Sequence, residues 1–314
     1  MENREKQPVL VDPAWVEEHL ERNGMRIIDC TTDERAFRKG HVPGALRLDW
    51  DVDLTNPQTR DLIGKKEFEQ LVRRLGIAND TTVVFYDDLR NLGACHAYWV
   101  FRYYGHEKAR ILNGGRMRWE SEKRRLVAEV PAVTPTSYTV TRVCPEFRAL
   151  RQDVLQHIGS PDPTASSFRI PNGHVVLDDR TPAEFDGKVE TDAEYPLRTL
   201  RGGRIPGALN IPFSDLLDDH GTFHRGDEIK KILLSKGVTP DKDIVVYTRI
   251  GERSATTWFV LHDLLGYSKV RNYDGAFAEW GNMVGMPVEH AAHPIGPRVP
   301  QRAVKLDPER RAHA

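Results

Sequence analysis

Residues Arg204-Ile205-Pro206-Gly207-Ala208-Leu209-Asn210-Ile211 restate an earlier run, His41-Val42-Pro43-Gly44-Ala45-Leu46-Arg47-Leu48. Three more segments recur around this pair in the same order. Arg26-Ile27-Ile28-Asp29 is echoed by Val175-Val176-Leu177-Asp178, and Thr82-Val83-Val84-Phe85-Tyr86 by Asp243-Ile244-Val245-Val246-Tyr247. Leu112-Asn113-Gly114-Gly115-Arg116-Met117-Arg118-Trp119-Glu120 is echoed by Tyr273-Asp274-Gly275-Ala276-Phe277-Ala278-Glu279-Trp280. The spacing is 163 at Gly44/Gly207 and 161 at both Tyr86/Tyr247 and Trp119/Trp280, but 149 at Asp29/Asp178. The chain therefore contains one unit twice. The second copy carries an insertion of 14 residues within 186–203, charged and containing Pro196, which predicts a surface excursion.

Within each copy, short apolar runs alternate with amphipathic stretches. Residues 67–75 place Phe68, Leu71, Val72 and Leu75 at helical spacing before Gly76, and residues 254–265 repeat the pattern before Gly266. Strand-like runs alternating with helices predict an α/β fold, two domains each built on a mostly parallel sheet flanked by helices. The expected division is a first domain over 1–126, a Pro-, Thr- and Ser-rich linker over 127–173 with a helical piece at 147–158, and a second domain over 174–290. The stretch 291–314 has four prolines in 24 residues and no periodicity, so it is expected to be disordered.

Composition narrows the function. A chain of 314 residues suits two buried cores. Forty-five Lys and Arg against 46 Asp and Glu leave a net charge of −1, with no basic excess for nucleic acid. No apolar run approaches a membrane span, and the start MENREKQP has no hydrophobic secretory core. Three scattered cysteines, Cys30, Cys95 and Cys144, make neither a disulfide framework nor a zinc site, and a reducing cytoplasm is the expected compartment.

The chemistry is expected where the strand ending at Tyr247 runs into Thr248-Arg249-Ile250-Gly251-Glu252-Arg253 and then a helix. Such a loop can turn successive backbone N–H groups inward and hold an anion, with Gly251 permitting the tight turn and Arg249 and Arg253 adding positive charge. An ordinary solvated turn is the plain alternative.

The run Val245 to Ser254 resembles the active-site segment of tandem-domain rhodaneses, the thiosulfate sulfurtransferases. His-Val-Pro-Gly-Ala at 41–45 and Tyr-Asp-Gly-Ala-Phe-Ala-Glu-Trp at 273–280 are similar to that family's signatures. The resemblance spans about residues 8–290. It implies two rhodanese-like domains and a loop cysteine whose thiolate takes the outer sulfur of thiosulfate, or of 3-mercaptopyruvate, as a persulfide. The sulfur then passes to cyanide or another thiol acceptor. No cofactor or metal is implied, and neither nucleic acid nor membrane is a partner.

At the cysteine position this chain has Thr248. An alcohol is far less acidic than a thiol, whose pKa is about 8.5, and cannot form the sulfur–sulfur bond. Three readings stay open: an exchange of the residue, a natural loss, or service by another thiol. Cys30, at a strand's carboxyl end, is the better surrogate candidate; Cys95 aligns with Ala255, and Cys144 falls in the linker.

The resemblance assigns further roles. Asp178 is expected to hold the 248–253 loop by hydrogen bonds, with Arg180 beside it, or else to cap its own turn with Thr181. Glu184 stands near a position where some members carry a substrate-binding arginine. The first-copy loop, Asp87-Asp88-Leu89-Arg90-Asn91-Leu92-Gly93, is similar to the family's inactive loop, with Asp87 at the nucleophile position and Leu92 near an apolar wall of the interdomain cleft. His41, replaced by Arg204 in the second copy, reads as structural, and Trp119 and Trp280 as core. Only four residues separate Thr248 from Arg253, a loop one residue shorter than in phosphatases of the same fold, so the loop suits sulfur rather than phosphate. A silent anion-binding or interaction module is the alternative function.

Overall fold

The computed structural model describes residues 8–20, 22–159, 168, 170–188 and 199–290. The predicted disorder of 291–314 and most of the predicted 186–203 excursion lie outside these residues.

The first copy forms a parallel sheet of β1 (Leu10–Val11), β2 (Met25–Asp29), β3 (Ala45–Arg47), β4 (Thr82–Tyr86) and β5 (Ala109–Leu112), in the order β1-β5-β4-β2-β3. The second forms a parallel sheet of β6 (His174–Asp178), β7 (Leu209–Asn210), β8 (Asp243–Tyr247) and β9 (Val270–Tyr273), in the order β7-β6-β8-β9. The central strands β4 and β8 bury four residues in succession, as parallel strands covered on both faces do.

Each sheet has its own outer apolar layer. Val16, Phe37, Tyr86 and Trp119 build one; Val154, Tyr247, Phe277 and Trp280 build the other. A third layer between the sheets belongs to both copies. Its centre is helix Leu92–Tyr103, buried through ten consecutive residues, against helix Glu252–Phe259. Tyr98 and Phe259 meet edge to face at 5.0 Å across this join.

The expected helix over 67–75 is Lys65–Arg74, with Phe68, Leu71 and Val72 buried. The one expected over 254–265 is interrupted: Glu252–Phe259 is α-helical and Val260–Leu264 widens into a π turn. The cap residues Asn91 and Gly251 are 160 apart, whereas Trp119 and Trp280 are 161 apart, so the wide turn absorbs the added residue. The stretch expected as a linker is structured where described. Tyr138, Val140, Ala149, Val154 and Ile158 are buried, and helix Arg151–Ile158 backs the second sheet. Trp119 and Trp280 are fully buried, and His41 is held between the carbonyls of Phe37 and Glu129.

Candidate functional site

The loop 248–251 leaves the carboxyl end of β8, between β6 and β9, and turns into helix Glu252–Phe259. In open α/β sheets this is where ligands gather. Two backbone groups of the second signature fix the loop: Phe277 N donates to Thr248 O and Ala278 N to Arg249 O, each at 2.9 Å. Gly251 caps the helix at φ 106°, and a Cβ there would lie 2.9 Å from the Asp274 carbonyl oxygen. Glycine is required both by conformation and by that close approach.

Thr248 is completely buried. The group facing it is Asp179, equally buried, which the sequence reading passed over. Asp178 pairs with Tyr247 across β6 and β8, and Asp179 N donates to Tyr247 O at 3.1 Å. Successive residues along a strand point to opposite faces. Asp178 and Tyr247 therefore take the outer face, and Asp179 and Thr248 turn together toward the helix. Asp179 Oδ2 accepts from Thr257 Oγ1 at 2.8 Å. Its Oδ1 and the Thr248 hydroxyl have no hydrogen bond of full geometry among the described residues. Burial pushes the Asp179 carboxyl well above its ordinary pKa, and proximity of the Thr248 hydroxyl is the largest opposing influence.

The position of Asp179 corrects the role expected of Asp178. The carboxylate of Asp178 takes Arg180 in a double contact, Nε at 3.0 Å and Nη2 at 2.6 Å, and accepts from the Tyr247 hydroxyl. That hydroxyl in turn accepts from Ile205 N at 3.1 Å. Arg180 also reaches Gly203 O at 2.8 Å and lies over the Phe277 ring. Asp178 and Arg180 thus tie the 203–205 segment to the outer face, not the 248–253 loop. A neighbouring acid in the run Leu177-Asp178-Asp179-Arg180 sits beneath the loop, because side-chain direction alternates along the strand.

The electropositive cradle expected of the loop is also corrected. Arg253 Nη1 donates to both carboxylate oxygens of Glu184, at 3.3 and 3.1 Å, with both side chains buried. Glu184 in turn caps its own helix start through Thr181. Glu252 lies 3.6 Å from Arg253 and is itself buried, which raises its pKa against the opposing pull of Arg253. Arg249 is buried, and Ile250 is the loop residue that reaches the interdomain cleft. Around the two arginines stand three carboxyl groups, Asp179, Glu184 and Glu252.

The first loop is closed in another way. Asp87 accepts backbone N–H groups from Leu89 at 2.7 Å, Asn91 at 2.8 Å and Ala94 at 2.9 Å. Its own side chain fills the nest that a bound anion would occupy. Burial raises its pKa to about 7, against the pull of these donors. Leu92 is buried at the first turn of its helix and does not line the cleft; Trp50 and His96 do.

The candidate thiols are sealed. Cys30 and Cys95 have no exposure, and burial pushes both thiols well above the ordinary range, so no thiolate forms near neutral pH. Cys144 is buried in the segment between the sheets, and its pKa is raised as well. All three are unpaired.

A cleft of about 520 Å³ opens between the copies beside the loop, lined by Trp50, Arg60, His96, Arg148, Ile250 and Asp274 among others. Arg148 bridges its walls, donating to Asp274 at 2.8 and 2.9 Å and to Asp61 at 2.6 Å. His96 is nearly buried, and burial lowers its pKa to about 4, against the influence of the Gly251 carbonyl it meets across the interface. At the other end of the second sheet, His157, His174 and Asp243 cluster, with the Arg271 guanidinium supplying a cation 3.2 Å from Asp243. Among the described residues, no helix is long and apolar enough to cross a membrane.

The Rhodanese-like domain family matches the chain twice, over residues 12–122 and 161–283. The sulfur carrier protein TtuD of Thermus thermophilus is 44% identical over 282 residues, covering 89% of this chain and 96% of that protein. A protein of Saccharopolyspora erythraea, provisionally named a thiosulfate sulfurtransferase, is 38% identical over 91% of this chain and 97% of its own length. The crystal structure of SseA from Escherichia coli, described with the rhodanese fold of 3-mercaptopyruvate sulfotransferases, superposes with a TM-score of 0.72 at 28% identity, covering 86% of this chain and 98% of that one. The duplicated signatures, the paired parallel sheets and these relatives agree: the chain belongs to the rhodanese family of sulfurtransferases, as a tandem-domain member.

Proposed function

We propose that this chain is a rhodanese-type sulfurtransferase whose cycle is arrested at its first covalent step. In the family's reaction a loop thiolate attacks the outer sulfur of thiosulfate. The new sulfur–sulfur bond forms as that of thiosulfate breaks, and sulfite leaves. Cyanide or a thiol then removes the sulfur and regenerates the thiolate. 3-Mercaptopyruvate is the other donor of this class, and pyruvate then leaves. No cofactor enters this scheme.

One observation carries the reading: the residue in the nucleophile's place is a buried threonine, and the chain's three thiols are buried elsewhere. An alcohol of ordinary acidity is not ionised at neutral pH and stores no sulfane sulfur. Three unpaired cysteines are in keeping with a reducing, cytoplasmic setting. The test is thiocyanate formation from thiosulfate and cyanide, repeated with 3-mercaptopyruvate, on the chain itself and on Thr248→Cys. The chain is expected to stay at background and the variant to gain turnover; clear turnover by the chain itself overturns the arrest.

A second reading, a silent binding module, is favoured by the cleft. It is about 520 Å³ in volume beside a loop that carries no thiol, so a ligand can be held there without being turned over. Binding of thiosulfate or 3-mercaptopyruvate by calorimetry, without reaction, supports this second reading.

A further inference from the structure

We propose that Asp179 is a second block on the sulfur-carrying position, separate from Thr248, because its carboxyl forms the floor beneath residue 248. The proposal rests on the sulfurtransferase reading above and deepens it: replacing threonine by cysteine restores the atom that carries sulfur, but leaves it beside an acid that opposes its ionisation.

Strand register places the carboxyl there. β6 and β8 are parallel neighbours with Asp178 opposite Tyr247, and the next residue of each turns to the inner face. Asp179 cannot swing away, because its backbone N–H is bonded to Tyr247 O and its Oδ2 to Thr257, on the helix that follows the loop. Neither Asp179 nor Thr248 has any exposure, so no bulk water lies between them to screen a charge.

The groups around Asp179 do not compensate. Thr248 and Thr257 are neutral, Asp178 on the adjoining position adds negative charge, and the nearby cation, Arg253, is bonded to Glu184. The first copy provides the contrast. There Cys30 N donates to Tyr86 O at 2.8 Å, as Asp179 N does to Tyr247 O, so a thiol side chain occupies the place under position 87. The floor of the first loop is uncharged, and that of the second is a carboxyl group.

A thiolate or persulfide anion is stabilised by cations and N–H donors and opposed by a neighbouring carboxylate. A protonated Asp179 donates to a sulfur anion only while it holds a proton for which that anion competes, and the loss of that last proton leaves two adjacent negative charges in a buried place. Asp179 thus holds sulfur chemistry at 248 back even where cysteine is restored, and removing it raises what the single exchange allows.

The experiment compares Thr248→Cys with Thr248→Cys/Asp179→Asn and Thr248→Cys/Asp179→Ser in the full chain, after melting curves establish that each is folded. Asn keeps the shape and removes the charge; Ser removes both. Two readouts are taken: thiolate formation against pH by ultraviolet absorbance, and thiocyanate production from thiosulfate and cyanide. Removing Asp179 is expected to lower the pH at which the introduced thiol ionises by about one to three units and to raise turnover at least about tenfold. An ionisation midpoint that stays in place or rises overturns the block. If the midpoint falls while no variant transfers sulfur from either donor, the block stands and the sulfurtransferase reading fails.

Discussion

The two loops occupy equivalent places and are closed by opposite means. At position 87 stands a carboxylate that turns into its own loop and accepts three backbone N–H groups. At position 248 the side chain is a short alcohol, and besides the loop's own Glu252 two acids come from outside it: Asp179 from the end of the strand beneath and Glu184 from a separate helix start, the latter holding Arg253. The first loop satisfies its inward N–H groups with its own side chain. In the second, Arg253 is paired with Glu184, a partner distant in sequence. The charge at such a loop is therefore set by its neighbours in space as much as by the residue at its first position.

The comparison can be broken most directly at Asp87. Asp87→Ala leaves three loop donors without their acceptor, and the expected loss is about 3–5 kcal/mol in urea unfolding. A loss under about 1 kcal/mol means that the loop does not depend on its internal carboxylate.

A smaller effect separates the loops by pH. The folded Asp87 carboxyl lies at about 7, above its ordinary 3.8, because of burial. The folded state therefore holds this proton more tightly than the unfolded chain does. Its stabilising contribution is complete below about pH 4 and is lost as pH rises toward 7. Unfolding free energies of the chain and of Asp87→Asn, measured from pH 4 to 8, are expected to diverge by about 2–4 kcal/mol, with the chain showing the steeper decline. Parallel curves place the proton elsewhere.

The smallest effect sharpens the second half of the comparison. Glu184→Gln keeps an acceptor for Arg253 and removes its countercharge, at a cost of about 1–2 kcal/mol. The smaller countercharge around Arg253 is expected to improve sulfate or thiosulfate binding about tenfold, read by calorimetry. Unchanged affinity shows that Arg253 does not face an anion site even when released.

Much of this was legible in the order of residues. The restatement of His41–Leu48 at Arg204–Ile211, with matching spacings at Tyr86/Tyr247 and Trp119/Trp280, requires one α/β unit used twice. The strand–loop–helix run around Thr248 marks the candidate site, and the identity of residue 248 excludes a persulfide on that side chain. Those conclusions follow from local chemistry and periodicity, which a linear chain carries in full. Which of two adjacent acids lies beneath the loop does not follow from them. Asp178 and Asp179 exchange roles with a single step of register, because the pleat sends neighbours to opposite faces. Nor is it visible in the sequence that Arg253 would meet Glu184, 69 residues earlier, or that helix Leu92–Tyr103 would be buried against its own repeat. Those pairings are set when two sheets close on one shared layer. Charge and burial at a site depend on neighbours in space, and only the packed chain brings them together.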